Sequence, residues 1–566
     1  MRITRLQIEN FRSIKQLDIE LPQICALVGP NNSGKSNLLL AMQRVLGRDW
    51  VRVSSFSEDD ICNRDPSLDM KIALSFAPPL QYAKFKGVAP VAISTLAFEC
   101  KRYKIGSRKG ERRLEQTCLS ARGEAPMVPR SAPKKNVQAR FEPLIGIPSE
   151  VRDQVPFIYI GTNRSLRDHL PGARYSLLRQ LLEDVDRDLH TPDQTVKVQQ
   201  VDGSEADEPR IDRFRSLMDQ AMDILRTEDF ARLEASIKRN ALRQLGFDPD
   251  TEAEKLDFFF APFDTMDFYK SLDLRVREGD FEISATELGE GIQNALVLAI
   301  LQAFEERRKQ GAILVIEEPE MFLHPQMQRS LAKTLTEVGA TNQVIYTTHS
   351  PHFVSIPDYE NVRLVRKGDA GTTVRRSDLP SDTARREKLR KELDPERNEL
   401  FFASRLLLVE GDTEKLALPE YARRLGLDLD REGATIVEVG GKRNLPEFAK
   451  IATSFQIPTG VIYDRHSSDF QDNSKDDESV FNSELAKLAR SDGSVRVWEL
   501  CEKYEDHLRK AIGEQRYQQE CQKYPSVSKP IRARLMAADA ALAIPEPFGD
   551  VLHWLAAKAE PMGGKK

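Results

Sequence analysis

The sequence predicts an α/β protein with more than one parallel sheet, and three observations carry that expectation. The first is a full G-x-x-x-x-G-K-[ST] phosphate loop, Gly29-Pro30-Asn31-Asn32-Ser33-Gly34-Lys35-Ser36, set between the apolar run 24–28 and the helical run 37–42. The second is a pair of apolar strands with polar ends: 312–316 runs into Glu317-Glu318-Pro319-Glu320, and 343–348 runs into His349. The third is a later apolar run, 406–409, which ends in Glu410 and opens a second α/β unit.

The remaining elements follow in chain order. Ile3, Leu6 and Ile8, then Leu17, Ile19 and Leu21, alternate about the turn Asn10-Phe11-Arg12-Ser13, which predicts a hairpin ahead of the phosphate loop. Strands are expected over 68–76 and 91–98. Segment 101–140 holds twelve Lys/Arg against three Glu, so it is either a solvated hairpin and loop or a face for nucleic acid. Residues 155–160 return as a buried strand, and 166–250 carry helical spacing. There Ile211, Phe214, Met218, Ala221 and Leu225 form one apolar stripe, which serves either a core or a dimer contact. The acidic stretch 191–210 is expected to be a flexible loop. Strands follow at 272–276 and 281–283, and the charged segment 367–400 is expected to be a linker with one helix.

At 566 residues the chain exceeds one core, and two to four domains are expected. A net charge of −5 argues neither for nor against nucleic acid. Six scattered cysteines without metal-ligand spacing point to reduced thiols. The N-terminus is too charged for a signal peptide, and no apolar run approaches membrane-spanning length, so a cytoplasmic location is expected.

The phosphate loop carries its own chemistry. Its glycines let backbone N–H groups turn inward on a triphosphate, the helix N-terminus adds its dipole, Lys35 reaches the β/γ-phosphates, and Ser36 offers a hydroxyl to Mg²⁺. At the carboxylate strand, Glu317 is expected to hold Mg²⁺ and Glu318 to act as general base on water, while His349 senses the γ-phosphate. Gly289 and Gly291 precede a helical run in Glu287–Gln293 and make a second anion-binding nest.

Late in the chain, Glu410 stands at a strand tip, Glu414 lies four residues on, just inside a helix, and Asp464 ends the strand Val461-Ile462-Tyr463. Carboxylates about 4 Å apart repel by about 4 kcal/mol at an effective dielectric near 20. Such a cluster calls for a cation, and all-oxygen ligands favour Mg²⁺ or Mn²⁺ over zinc.

Together, Gly29–Ser36, Gly289–Gln293, Glu317–Glu320, Leu323-His324-Pro325 and His349 resemble the ATP-binding-cassette ATPases of recombination and repair. That resemblance implies a homodimer or larger homo-oligomer, with Gly289, Gly291 and Gln293 of one chain facing ATP held by another. The second half is similar to a Toprim domain, and the whole chain resembles the OLD family of ATP-dependent nucleases, which includes the nuclease subunit of the Gabija anti-phage system. The resemblance implies an ATPase part at 1–165, a helical dimerisation insertion at 166–262, the rest of the ATPase at 263–395 and a Toprim domain at 396–566. It makes Glu410, Glu414, Asp464 and Glu505 metal ligands, with Asp506 the alternative to Glu505. Lys529 becomes a catalytic lysine near the C-terminal end. Where the family usually has D-x-D this chain reads Asp464-Arg465-His466, so His466 or Asp469 would take the second place, or a second metal would be held weakly, which bears on two-metal geometry more than on metal dependence. Lys442, after Gly440-Gly441, is expected either to bind a DNA phosphate or to be an ordinary exposed lysine. The function so implied is a nucleotide-regulated, Mg²⁺/Mn²⁺-dependent DNA endonuclease or nickase in anti-phage defence, with a helicase-like or retron-type partner. The alternative is an ATP-gated DNA clamp whose Toprim site does not cut.

Overall fold

A computed structural model describes residues 1–47, 51–132, 140–162, 165–173, 176–199, 204–256, 264–278, 281–307, 311–380, 382–390, 395–465, 475–490, 494–500 and 503–557. The chain forms two compact units, one of residues 1–162 with 310–566, the other of 163–309.

In the first unit, Arg2–Phe11 and Ile14–Glu20 make the expected antiparallel hairpin. It extends through Met70–Tyr82, Val91–Arg102 and Arg112–Leu119 into a five-stranded sheet. The alternation seen in the sequence puts Ile3, Leu6 and Ile8 on the inner face at 0 % exposure, packed with Leu38, Met42 and Val45 of the helix Lys35–Leu46. A six-stranded sheet lies beside it, in the order 371–375, 362–368, 24–28, 343–348, 313–316, 157–160. All its neighbours run parallel except the edge strand Gly371–Arg375. Parallel pairing buries both faces, which is why these strands read as continuous apolar runs.

The carboxyl ends of the three central strands therefore lie along one edge, and each delivers a motif: the phosphate loop after Val28, Glu317 and Glu318 after Ile316, His349 after Thr348. That edge is where open α/β sheets bind ligands.

A four-stranded parallel sheet follows, in the order Ala434–Glu438, Arg405–Val409, Thr459–Asp464, Val495–Leu500. Helices Asp412–Arg424, Lys529–Ala538 and Phe548–Ala556 cover it through Leu407, Leu418, Tyr421, Met536, Phe548 and Trp554. The two parallel sheets are joined by hydrogen bonds. Buried Asn398 donates to the carbonyls of Pro351 (3.0 Å) and Val354 (2.7 Å) and accepts from the amide of Ile356 (3.3 Å). Arg375 donates to the carbonyl of Gln456 at 2.9 Å.

The second unit holds helices Leu177–Leu189, Arg210–Leu225, Glu228–Gln244 and Glu290–Arg307, with two small hairpins. Two expectations need correction. Within 191–210, Thr195–Gln199 pairs antiparallel with Glu205–Pro209, because alternating Val196 and Val198 give a half-buried strand face inside an acidic composition. The segment 367–400 is not only a linker with one helix. It begins with the edge strand Gly371–Arg375, which returns along Leu364–Gly368, and it also holds the helix Thr383–Arg390.

Candidate functional site

The phosphate loop is built by close approach. Gly34 sits at φ +103°, and a Cβ there would stand 2.3 Å from Thr372 Oγ1, so no other residue fits beneath the edge strand. Thr372 clasps the loop from outside: its hydroxyl donates to the Ser33 carbonyl at 3.0 Å, and its amide donates to the Ser13 carbonyl at 2.8 Å. Ser13 Oγ meets Thr372 Oγ1 at 2.7 Å and accepts from Asn37 Nδ2 at 2.8 Å. Asn31, Asn32 and Ser36 lie exposed on the loop, while Ser33 and Lys35 are buried.

Lys35 is folded back, donating to the carbonyls of Gly29 (2.9 Å) and Pro30 (3.0 Å). Burial pushes its ammonium down to about 8, against the pull of Glu318 and Glu320. Glu318 occupies φ +43°, rare for a residue with a side chain, and its amide is held by the carbonyl (3.1 Å) and hydroxyl (3.0 Å) of Thr347. Its carboxylate lies 3.6 Å from His349 Nε2. Burial, and then the charge of Lys35, lower the His349 imidazole, while Glu318 raises it. Glu317 is buried beside Tyr159, whose phenol is raised by burial and by that carboxylate. Glu320 caps the end of the strand Gln343–Thr348, accepting from Thr348 Oγ1 (2.9 Å) and the amides of His349 (2.5 Å) and Ser350 (3.2 Å). Lys35, Glu317, Glu318 and His349 thus meet at one sheet edge, as their strand-end positions imply.

The sequence reading missed a cleft of about 870 Å³ beside the loop, lined by Arg12, Ser13, Asn32, Asn37, Asn63 and Lys367 among others. The turn Asn10–Ser13 gave no signal beyond a hairpin reversal. In the other unit, Gly289 faces open space and Gly291 lies in the first turn of Glu290–Arg307. Gln293 braces that turn, its amide nitrogen donating to the carbonyls of Thr286 (3.1 Å) and Leu288 (2.7 Å) and its oxygen accepting from the amide of Leu166 (3.3 Å).

At the four-stranded sheet, Glu410 follows Val409 directly, Asp464 closes its strand, and Glu414 lies in the first turn of Asp412–Arg424. Glu410 Oε1 accepts from the amide of Asp464 at 2.7 Å. Burial, then the charges of Asp464 and Glu410, push Glu414 up to about 8, opposed by Lys529. Burial pushes Asp464 up to about 6 despite Lys529, Lys442 and Lys503, with Asp506 adding to the rise. Lys529 Nζ pairs with Glu505 Oε1 at 2.7 Å, which brings the two late positions to this edge. Two buried, mutually repelling carboxylates beside a third fit a divalent cation in donor chemistry. Among the described residues, however, no group of three His, Cys, Asp or Glu side chains is already arranged to hold an ion. His466 and Asp469 lie outside the described residues.

Lys442 requires correction. It is 0 % exposed, and its ammonium donates to the carbonyls of Asp464 (2.7 Å) and Arg465 (3.1 Å) and to Glu478 Oε1 (3.0 Å). A lysine so buried and so committed is not the exposed phosphate contact expected, because its ammonium is taken up by the Asp464 and Arg465 carbonyls and by Glu478.

The fold and its two edges define a phosphate-loop ATPase joined to an acid-tipped Toprim unit. Residues 1–135 and 173–354 match the family described as AAA ATPase domain, and 401–465 match the overcoming lysogenization defect protein-like TOPRIM domain. The chain is 31 % identical to the OLD nuclease of Thermus scotoductus over 504 residues, covering 88 % of each. It is 23 % identical to endonuclease GajA of Bacillus cereus, covering 78 % of this chain and 71 % of that one. It is 25 % identical to the Old nuclease of Escherichia phage P2, covering 82 % and 77 %. The chain belongs to the OLD family of ATPase–Toprim nucleases. Among the described residues no helix is long and apolar enough to cross a membrane.

Proposed function

We propose that this protein is a Mg²⁺- or Mn²⁺-dependent DNA endonuclease or nickase, regulated by ATP at its phosphate loop and acting in anti-phage defence. The observation that carries the cutting role is the meeting of Glu410, Glu414 and Asp464 at one strand edge with Lys529 beside them. Glu410, Glu414, Asp464 and Glu505 would hold the cation, and His466 is the further candidate ligand. When bound, the ion supplies Lewis-acid activation of water and charge neutralisation at the scissile phosphate. Lys529, paired with Glu505 at 2.7 Å, would steady the phosphate oxygens through its ammonium. Glu410, the acid aligned on the Asp464 amide, orients the attacking water.

At the front edge, Lys35 rests on the Gly29 and Pro30 carbonyls and would turn from them to a triphosphate, Ser36 and Glu317 would hold its Mg²⁺, Glu318 would act as general base, and His349, beside Glu318, would sense the γ-phosphate. The cleft at Arg12, Asn63 and Lys367 accepts the nucleoside end. The Asp464-Arg465-His466 sequence, where the family usually has D-x-D, favours the rival clamp reading. Titration of supercoiled plasmid with Mg²⁺ or Mn²⁺ decides between them: nicked or linear product supports the endonuclease, and DNA binding without product supports the clamp.

The protonation states set opposite pH signatures. Lys35, held near 8, gains a counter-charge from ATP, so its ammonium is raised on binding. ATP binding above pH 8 therefore takes up protons and weakens as pH rises. Glu414 near 8 and Asp464 near 6 must lose protons to meet a cation, so metal binding between pH 6 and 8 releases protons and strengthens as pH rises. Calorimetry in buffers of different ionisation enthalpy reads both signs.

A homodimer through the helical unit is supported by its exposed apolar residues. Leu217, Ile224 and Leu225 on one helix, and Leu233 and Ile237 on the next, are 43–78 % exposed. Ile224→Asp with Leu225→Asp is expected to shift the protein toward monomer in light scattering.

A further inference from the structure

We propose that Lys442 is a positioning residue that fixes the tip of the Thr459–Asp464 strand so that Asp464 and Glu410 can serve one cation. The inference rests on the reading of those acids as a metal site. Each side of Asp464 is held by this arrangement. Its amide donates to Glu410 Oε1 at 2.7 Å, and its carbonyl accepts from Lys442 Nζ at 2.7 Å. The turn that carries Lys442 is itself tied to the first acid, because the amide of Gly441 donates to the carbonyl of Glu410 at 2.9 Å. One short turn, Gly440–Lys442, therefore fastens both acid-bearing strand tips. The next carbonyl, Arg465, accepts from Lys442 at 3.1 Å and from Asn482 Nδ2 at 3.0 Å, so only part of that contact depends on the lysine.

The ion pair alone does not explain this lysine. A buried ion pair such as Lys442–Glu478, with side chains 0 % and 8 % exposed, is commonly replaced by apolar residues of similar size without loss of stability. What an apolar residue cannot supply is donation to the carbonyl behind Asp464. Partners standing one shell behind metal ligands act in this way, orienting the ligand rather than touching the ion.

The test compares the full-length wild type, Lys442→Met/Glu478→Met, Glu478→Gln and Glu410→Ala in nucleotide-free Mn²⁺ titrations read by electron paramagnetic resonance. ATP affinity and thermal unfolding report on folding. The double variant removes both charges but leaves the Asp464 carbonyl without its donor, so it is expected to fold with a lowered thermal midpoint and to bind ATP as the wild type does, yet to lose Mn²⁺ affinity on the order of 10–100-fold. Glu478→Gln leaves the lysine on both carbonyls and is expected to stay within about threefold of wild type, well short of that second-shell loss. Mn²⁺ affinity unchanged in the double variant overturns the proposal, as does an equal loss in Glu478→Gln. If the double variant does not fold, Lys442→Gln/Glu478→Gln, which keeps a polar pair but shortens the reach to the Asp464 carbonyl, decides: a loss of about tenfold or more supports the proposal, and Mn²⁺ affinity within about threefold of wild type overturns it. A wild type with no Mn²⁺ binding that Glu410→Ala removes defeats the underlying metal reading instead.

Discussion

Plasmid nicking by Glu410→Ala is expected to fall at least about a hundredfold, with ATP affinity unchanged. Loss of a partner one shell behind a metal ligand typically costs about 10–100-fold, and removal of a ligand itself exceeds that. The substitution also frees the amide of Asp464 from its 2.7 Å bond, so the second acid loses its alignment with the first. The backbone bond from Gly441 to the Glu410 carbonyl survives, and so does the strand Arg405–Val409 with its buried Leu406, Leu407 and Leu408. The fold is therefore retained, and the loss falls on chemistry. Gel analysis of supercoiled substrate across Mg²⁺ and Mn²⁺ concentrations measures it, and robust cutting by the variant removes the assignment of the acids.

Lys35→Ala is expected to weaken ATP binding by at least about tenfold to a hundredfold. A hydrogen bond to a charged group contributes about 1.5–3 kcal/mol, and each 1.4 kcal/mol is a factor of ten. The ammonium rests on the Gly29 and Pro30 carbonyls, so it is already at the loop when a triphosphate arrives. Fluorescent-nucleotide titration reads the affinity. Nucleotide control of nicking should vanish in the same variant, while nicking without nucleotide persists. Wild-type nucleotide control in Lys35→Ala would separate the two sites.

Much of this was readable from the chain because it is local. A phosphate loop needs a strand before it and a helix after it, and both flanks lie within a few residues of Gly29–Ser36. Glu317, His349, Glu410 and Asp464 were legible for the same reason: each stands at the end of an apolar run, and parallel pairing brings such ends to one edge. What was not legible depends on distant chain. Thr372 clasps Ser33 across more than three hundred residues, from an edge strand inside a charged segment that reads as a linker. Lys442 followed two glycines and read as a phosphate contact. Its acceptors, the Asp464 and Arg465 carbonyls and Glu478, become neighbours only when the sheet forms. The hairpin inside 191–210 was hidden by acidic residues on its exposed face.

The most direct measurement is a crystal of the full chain soaked in Mn²⁺, with anomalous scattering collected at the metal edge. The account predicts an ion bound by carboxylate oxygens of Glu410, Glu414 and Asp464, at distances near the roughly 2.0–2.1 Å of a comparable Mg²⁺ site. An anomalous map with no peak among these residues at a saturating ion concentration would contradict it.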